Sequence, residues 1–419
     1  MAAATITHAP EPAAADRHRL APTPLDEVPQ IRAGMEQLGL PPFAPGDLTG
    51  RAGRNDNWAG RTEDGRHLFV KRLDPAAPGA KDRFERVLAF ERVQRVRQQA
   101  REQLRGQPQK QAQGQVQGQP PGQVQGQPQE QPQGQVPEQQ PAWRTPAFLG
   151  GDPDTLVLVF ACLDGAVTGT ALADDGRFDP ALAHRAGRAL GELHALPADG
   201  VPLVDTAATR ATANRLASLP LAAYTAASAA ELDAWALLQH DRKVREALRL
   251  LAERSAETPA TPVHGDIRLD QFLLHDGELY LTDWEEFRLA DPAADAGGFV
   301  GQWLHRAATR MFTELDAEDA GAPAETHRSL VANGERQLDA VKPHIAAFWT
   351  GYRAARPHPG SGFAARVTAY AGWHLFDRML AATPFTHRLG AVQRGIAGVG
   401  RNALLDPARF AAVLGLTED

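Results

Sequence analysis

The stretch from Val263 to Phe287 constrains the fold more than any other part of the chain. His264-Gly265-Asp266-Ile267-Arg268-Leu269-Asp270-Gln271 is a polar loop. Two short apolar runs follow, Phe272-Leu273-Leu274 and Leu279-Tyr280-Leu281, separated by Asp276-Gly277. Asp-Gly between apolar runs is the chemistry of a tight hairpin turn, because both residues tolerate positive φ. Asp283 comes seventeen residues after Asp266, and a hairpin between them returns the chain to its starting end. Two carboxylates brought together there suit phosphoryl transfer. One orients an attacking hydroxyl and takes its proton, while the other holds Mg²⁺ against the phosphates.

Composition narrows the alternatives. A formal net charge of -7 supplies no excess of Lys and Arg to neutralise a run of phosphates, which argues against non-specific nucleic-acid binding. Cys162 is the single cysteine, so no intramolecular disulfide forms and a reducing compartment suits the chain. The N-terminus lacks a basic region followed by an apolar core, and no run approaches the ~20 apolar residues of a membrane-spanning helix. The expected location is the cytoplasm, with no membrane partner.

The patterning predicts two lobes. Residues 1–22, rich in Ala and Pro, read as a disordered tail. Leu25, Val28, Ile31, Met35 and Leu38 share one helical face that ends at Gly39. From Leu48 to Leu73, three β-forming segments separated by glycine-bearing turns read as an antiparallel meander, followed by a helix whose sheet-facing side carries Phe84, Val87, Leu88 and Glu91. Residues 106–141 break the pattern: 16 of these 36 are Gln, and the heptapeptide at Gly114 recurs at Gly122. Such a segment buries too little apolar surface to offset its ordering entropy, so a disordered insertion is expected. Thr155 to Phe160 is an apolar run suited to a buried strand, with Leu163-Asp164-Gly165 as a break between lobes. Asp179-Pro180 caps a helix carrying Leu182, Ala186, Leu190 and Leu193, and helical patterns dominate from there on. The expectation is an N-lobe over 23–160 and a helical C-lobe over 161–419.

The loop and hairpin resemble the aminoglycoside phosphotransferase superfamily, whose His-Gly-Asp is followed after four residues by Asn and whose next strand ends in a metal-binding Asp. The later Asp291-Pro292-Ala293-Ala294-Asp295 fits the same pattern. The resemblance covers roughly residues 48–310. It implies an α+β, bilobal protein-kinase-like fold with a small antiparallel sheet and a large helical lobe, and an enzyme using ATP and Mg²⁺. By that resemblance Asp266 is the catalytic base, Asp283 the principal metal ligand, His264 a support for the loop and Asp295 its brace. Gln271 stands where the family has Asn; its carbonyl is the same ligand type on a stem one methylene longer. Arg268 either stabilises charge on the transferred phosphate or pairs with Asp270 or solvent. In the N-lobe, the turn Gly53 to Gly60 is the expected nucleotide-covering loop, with Asn55 and Asn57 as cofactor contacts. Lys71 matches the lysine that binds the α/β-phosphates, with Glu91 as its expected acidic partner and Glu85 as the second choice. Backbone groups of Ala161 to Leu163 are expected at the adenine. His194 reads as a core or loop-contacting histidine.

Asn55-Asp56-Asn57-Trp58, Phe69-Val70-Lys71-Arg72, Phe90-Glu91, Arg268-Leu269-Asp270-Gln271-Phe272 and Gly398-Val399-Gly400-Arg401 resemble one branch, the kinase-like proteins of class V lanthipeptide and thioamitide biosynthesis. That resemblance implies a Ser or Thr acceptor on a ribosomally made precursor peptide, with a partner lyase that eliminates the phosphate. A small-molecule kinase of the aminoglycoside type and a peptide-binding pseudokinase, motivated by Gln271, are the alternatives. The few carboxylates between Val201 and Glu231, together with Arg378, Arg388, Arg394 and Arg401, favour an acidic peptide over a polycationic sugar.

Overall fold

The computed structural model describes residues 23–51, 55–106, 142–202, 216–314 and 323–417. The expected tail (1–22), nearly all of the Gln-rich insertion and Gly53-Arg54 of the expected nucleotide loop lie outside the described residues.

In the first lobe, α1 (Pro29–Gln37) precedes β1 (Thr49–Arg51), β2 (Asp56–Arg61) and β3 (His67–Arg72); α2 (Ala80–Gly106) leads on to β4 (Phe148–Asp152) and β5 (Val157–Ala161). The strands form one antiparallel sheet in the order β1-β2-β3-β5-β4. Alternation along the strands sorts their side chains onto two faces. Leu68, Val70, Val157 and Val159 meet Ile31 and Met35 of α1, whereas Leu158 meets Phe84 and Val87 of α2. Lys71 and Asn57 are register partners on the face opposite Val70.

Three expectations shift. The first helix starts at Pro29, after a separate 3-10 turn over Leu25–Glu27. The apolar strand begins at Val157, because Leu156 takes φ 55° in the turn before it. The edge strand β4, glycine-bearing and short, was not legible as a strand.

The second lobe continues with β6 (Val167–Thr168), α3 (Gly169–Asp174), α4 (Pro180–His194), α5 (Leu221–Ala226), α6 (Ala229–His240), α7 (Arg242–Glu257), β7 (Thr261–Val263), β8 (Phe272–His275), β9 (Glu278–Leu281) and β10 (Arg288–Ala290). It closes with α8 (Ala293–Thr313), α9 (Pro323–Ala355), α10 (Phe363–Ala382), α11 (Ala391–Leu405) and α12 (Pro407–Leu414). The Asp179 side chain caps α4 by accepting the Leu182 N–H at 2.8 Å, as its place before Pro180 predicts. The main core lies where α4, α8, α9 and α10 meet, around Phe299, Phe348 and Tyr352. No helix among the described residues is long and apolar enough to cross a membrane.

The expected hairpin is β8–β9. His275 pairs with Glu278 across Asp276 (φ 51°) and Gly277 (φ 77°), the two positive-φ residues that such a turn requires. The Thr282 N–H donates to Gln271 O at 3.0 Å, so the base of the hairpin sets Gln271 beside the segment carrying Asp283.

Candidate active site

Gly265 cannot be replaced within this loop geometry. Its φ is 86°, and a Cβ would stand 2.3 Å from the Glu286 carbonyl oxygen. That close approach stacks the His264–Asp266 loop on the segment following Asp283. His264 joins the two: Nε2 donates to Thr282 O at 2.7 Å, and Nδ1 accepts the Asp266 N–H at 3.3 Å. Both nitrogens of the imidazole are thereby occupied.

Asp295 holds the loop from behind. Its carboxylate accepts the His264 N–H at 2.6 Å, the Gly265 N–H at 2.9 Å and His194 Nε2–H at 3.1 Å. Burial works against its charge, but these donors, His194 first, outweigh it and hold the carboxyl below its ordinary range. His194 is pushed down, chiefly by burial, so its imidazole is neutral and accepts the Tyr352 hydroxyl at Nδ1, 2.9 Å away. At the other end of the same motif, Asp291 accepts the Ala293 N–H at 3.0 Å and Arg366 Nε–H at 2.9 Å.

Asp283 sits at φ 70°, ψ 57°, a left-handed conformation that a β-branched side chain would resist. Its Oδ1 meets Lys71 Nζ, and Gln271 Nε2 donates to its Oδ2 at 3.3 Å. Lys71 also reaches Glu285 Oε2 at 3.0 Å, and Asn55 Nδ2 donates to that same oxygen at 2.9 Å. Burial opposes the charges on Lys71 and Asp283. Their attraction overrides it, raising the ammonium and lowering the carboxyl.

These contacts correct one expectation. Lys71 pairs with Asp283 and Glu285, and Glu91 is not its partner. Helix α2 carries two stripes: Phe84, Val87, Leu88 and Glu91 face the sheet side, while Arg86, Phe90, Val93 and Arg97, at helical spacing, face the second lobe. Phe90 stacks on Trp284 with ring centroids 3.6 Å apart, and Arg86 Nη1 lies 2.6 Å from Glu286 Oε2. Glu91 instead occupies a hollow with Leu88, Arg95 and Phe148, where burial pushes its carboxyl up to about 7 against the pull of Arg95. Glu285 was missed at the sequence level. Its available signal was a second carboxylate two residues after Asp283, in the turn Trp284–Glu286 that follows β9.

Arg268 adopts the paired alternative: Nε is 3.3 Å from Asp270 Oδ1 and Nη2 is 3.7 Å from Asp266 Oδ2. The Asp270 carboxyl is pushed up by burial; Arg268 opposes this, and Asp266 and Asp283 both add to it, which places all three carboxylates in one field. Asn57 Oδ1 is buried without a hydrogen-bond partner, next in register to Lys71. The Ala161 N–H is committed to Ala147 O at 2.8 Å, so an adenine contact at this residue falls to its carbonyl.

The basic stripe on the C-terminal helices is largely neutralised. Arg378 pairs with Asp377 at 2.7 Å, Arg394 with Asp233 at 3.6 Å and Arg401 with Asp241 at 2.6 Å. Arg388 is exposed.

Among protein families, the model described as the phosphotransferase enzyme family, APH, matches residues 129–330. No curated protein matches the chain. Solved structures to which the chain is similar include the choline kinase LicA from Streptococcus pneumoniae, at 12% identity over 91% of this chain and 98% of that one, with a TM-score of 0.44. The amicoumacin kinase hAmiN, in complex with AMP-PNP, Ca²⁺ and Ami, is 13% identical over 91% and 96%, with a TM-score of 0.48. The macrolide 2'-phosphotransferase MphH from Brachybacterium faecium is 13% identical over 86% and 93%, with a TM-score of 0.43.

Proposed function

We propose that this chain, whose residues 129–330 match the phosphotransferase enzyme family, is a kinase with a hydroxyl acceptor that moves the γ-phosphate of Mg·ATP to Ser or Thr of a ribosomally made precursor peptide. The observation that carries the transfer is the convergence of Lys71, Asp283, Gln271 and Asp266, from both lobes, on one place.

The residues present fit the nucleotide and its metal. Asp283 Oδ2 and the Gln271 amide lie side by side; turned about its last torsion, that amide offers Oε1, giving the two oxygens a hard divalent cation takes. The unpartnered Asn57 Oδ1 belongs to the register partner of Lys71, on the same sheet face, and Asn55 with Lys71 lines the N-lobe side. Backbone groups of Ala161 and Leu163 are the contacts we assign to adenine, the Ala161 carbonyl being the group left by the commitment of its N–H. Bound Mg²⁺ would neutralise charge on the phosphates. Asp266 orients the acceptor hydroxyl and takes its proton as the oxygen attacks phosphorus. Its side chain is one-quarter exposed, open enough for an acceptor to reach. Arg268, released from Asp270, turns toward the transferred group.

Two observations favour a peptide acceptor. Leu221 and Tyr224 stand 77% and 55% exposed on α5, as a chain-binding surface requires. Glu231, the carboxylate among the described residues of Val201–Glu231, is spent on a capping box with Ser228 rather than offered to a polycation. A lyase is the expected partner for the phosphorylated product.

The test offers Mg·ATP with an aminoglycoside and with the peptide encoded beside the gene, scored by a mass gain of about 80 Da. Peptide modification is expected; modification of the aminoglycoside alone overturns the acceptor assignment and leaves the phosphotransferase intact. Asp266→Asn should lower turnover on the order of 10²–10⁴-fold with nucleotide binding kept. Asp283→Asn should weaken nucleotide binding in a Mg²⁺-dependent way. Full turnover in both variants would refute the site.

A further inference from the structure

A second cluster of ligating side chains lies at the join of the lobes, and phosphoryl transfer does not use it. His67 opens β3, and its carbonyl accepts the Cys162 N–H at 2.9 Å, fixing the two residues opposite one another just beyond the Leu68–Ala161 pair. Asp164 lies in the following turn, which the Ala166 N–H closes onto Leu163 O at 3.2 Å, and its Oδ1 meets His67 Nδ1. A ring nitrogen of His67, Cys162 Sγ and a carboxylate oxygen of Asp164 all lie within 4.8 Å of one another. Among the described residues no other His, Cys, Asp or Glu group meets that condition.

We propose that His67, Cys162 and Asp164 form a binding site for a borderline-soft divalent cation of the zinc class, with water completing the coordination. One imidazole, one thiolate and one carboxylate are the donor types such an ion takes, in the three-ligand number that leaves a position open. Ligand atoms about 2.0–2.3 Å from a tetrahedral ion stand roughly 3.3–3.8 Å apart. The trio therefore closes on an ion by side-chain rotation alone, with its backbones already fixed by the sheet and turn.

Arg61 Nη2 lies 3.3 Å from Asp164 Oδ2. Both side chains are 55% exposed, so this pair is weak, and it engages the carboxylate oxygen other than the one turned to His67. The site differs in selectivity from that at Asp283. Carboxylate and amide oxygens there suit Mg²⁺, whereas a thiolate–imidazole pair rejects it. An ion here ties the start of β3 to the segment leaving β5, the segment whose backbone is assigned above to adenine. Its occupancy should therefore change the KM for ATP.

Cobalt(II) is the probe. Tetrahedral Co²⁺ absorbs in the visible, and thiolate ligation adds a near-ultraviolet charge-transfer band; with a single cysteine in the chain, that band reports Cys162 alone. The expected result is a one-to-one band on the full chain, displaced by Zn²⁺ and indifferent to excess Mg²⁺. Cys162→Ser should abolish it, and His67→Gln and Asp164→Asn should each weaken Co²⁺ binding roughly tenfold or more. Asp283→Asn should keep it, which separates this site from the proposed catalytic one. Absence of the band in the natural chain overturns the proposal. So does a band of unchanged affinity in His67→Gln and Asp164→Asn, because a solitary thiol would then account for it.

Discussion

Asp295 and Asp283 are acids of one site, twelve residues apart in sequence, and they are held in opposite ways. Asp295 is 1% exposed and takes three hydrogen bonds, all from groups that stay in place: two loop amides and a neutral histidine. Asp283 is 22% exposed and leans on Lys71 and Gln271, two long side chains able to exchange it for a ligand. The first arrangement fixes a backbone, and the second keeps a charge available. A buried carboxylate with a complete donor set gains rigidity, whereas one balanced by a mobile ammonium remains free to change partners.

Removing the brace should have the largest effect. Asp295→Ala leaves two loop amides and His194 without their acceptor in a dry interior, a loss of about 3–5 kcal/mol. Denaturant melts should show it as a lowered midpoint with turnover gone. A variant as stable as the natural chain would erase the distinction between the two acids.

The exchangeable site should respond more gently. Gln271→Asn withdraws the amide from Asp283 by one methylene, and about a fivefold fall in turnover is expected with no change in melting. A rise in ATP turnover from an undetectable baseline would instead favour the pseudokinase reading.

Glu91 is a third acid, lacking both a donor set and a paired lysine. Its ordinary value of 4.5 is raised to about 7, so the fold favours its neutral form. That stability is present below pH 4.5 and is lost as pH rises through 7. Glu91→Gln should match the natural chain in acid and exceed it at pH 8, by under about 1 kcal/mol because its hollow is open to water. Melting curves at the two pH values test this; an equal gain at both would show that packing, not ionisation, is responsible.

Local chemistry carried much of the architecture. Asp276-Gly277 specified a hairpin and Asp179-Pro180 started a helix. The meander and Lys71 on its third strand were equally legible, because alternation and turns act over a few residues. Partner choice across the cleft was not. Helical spacing put Glu91 on the sheet side of α2, which made it the expected acid for Lys71. The same spacing also put Arg86, Phe90 and Val93 on a second stripe, and only docking of that stripe onto Trp284 decided which face met the site. With Phe90 stacked there, Glu285 is the buried carboxylate within reach of the ammonium. His194 read as a core or loop-contacting histidine, but its partner was decided by packing, which brought α4 against the start of α8 and set its Nε2 on Asp295. The sequence by itself determined the elements and the residue types at the hairpin, since those follow from backbone preferences a few residues wide. The tertiary structure decided which charges meet, because that depends on how two amphipathic surfaces settle against each other over the whole lobe.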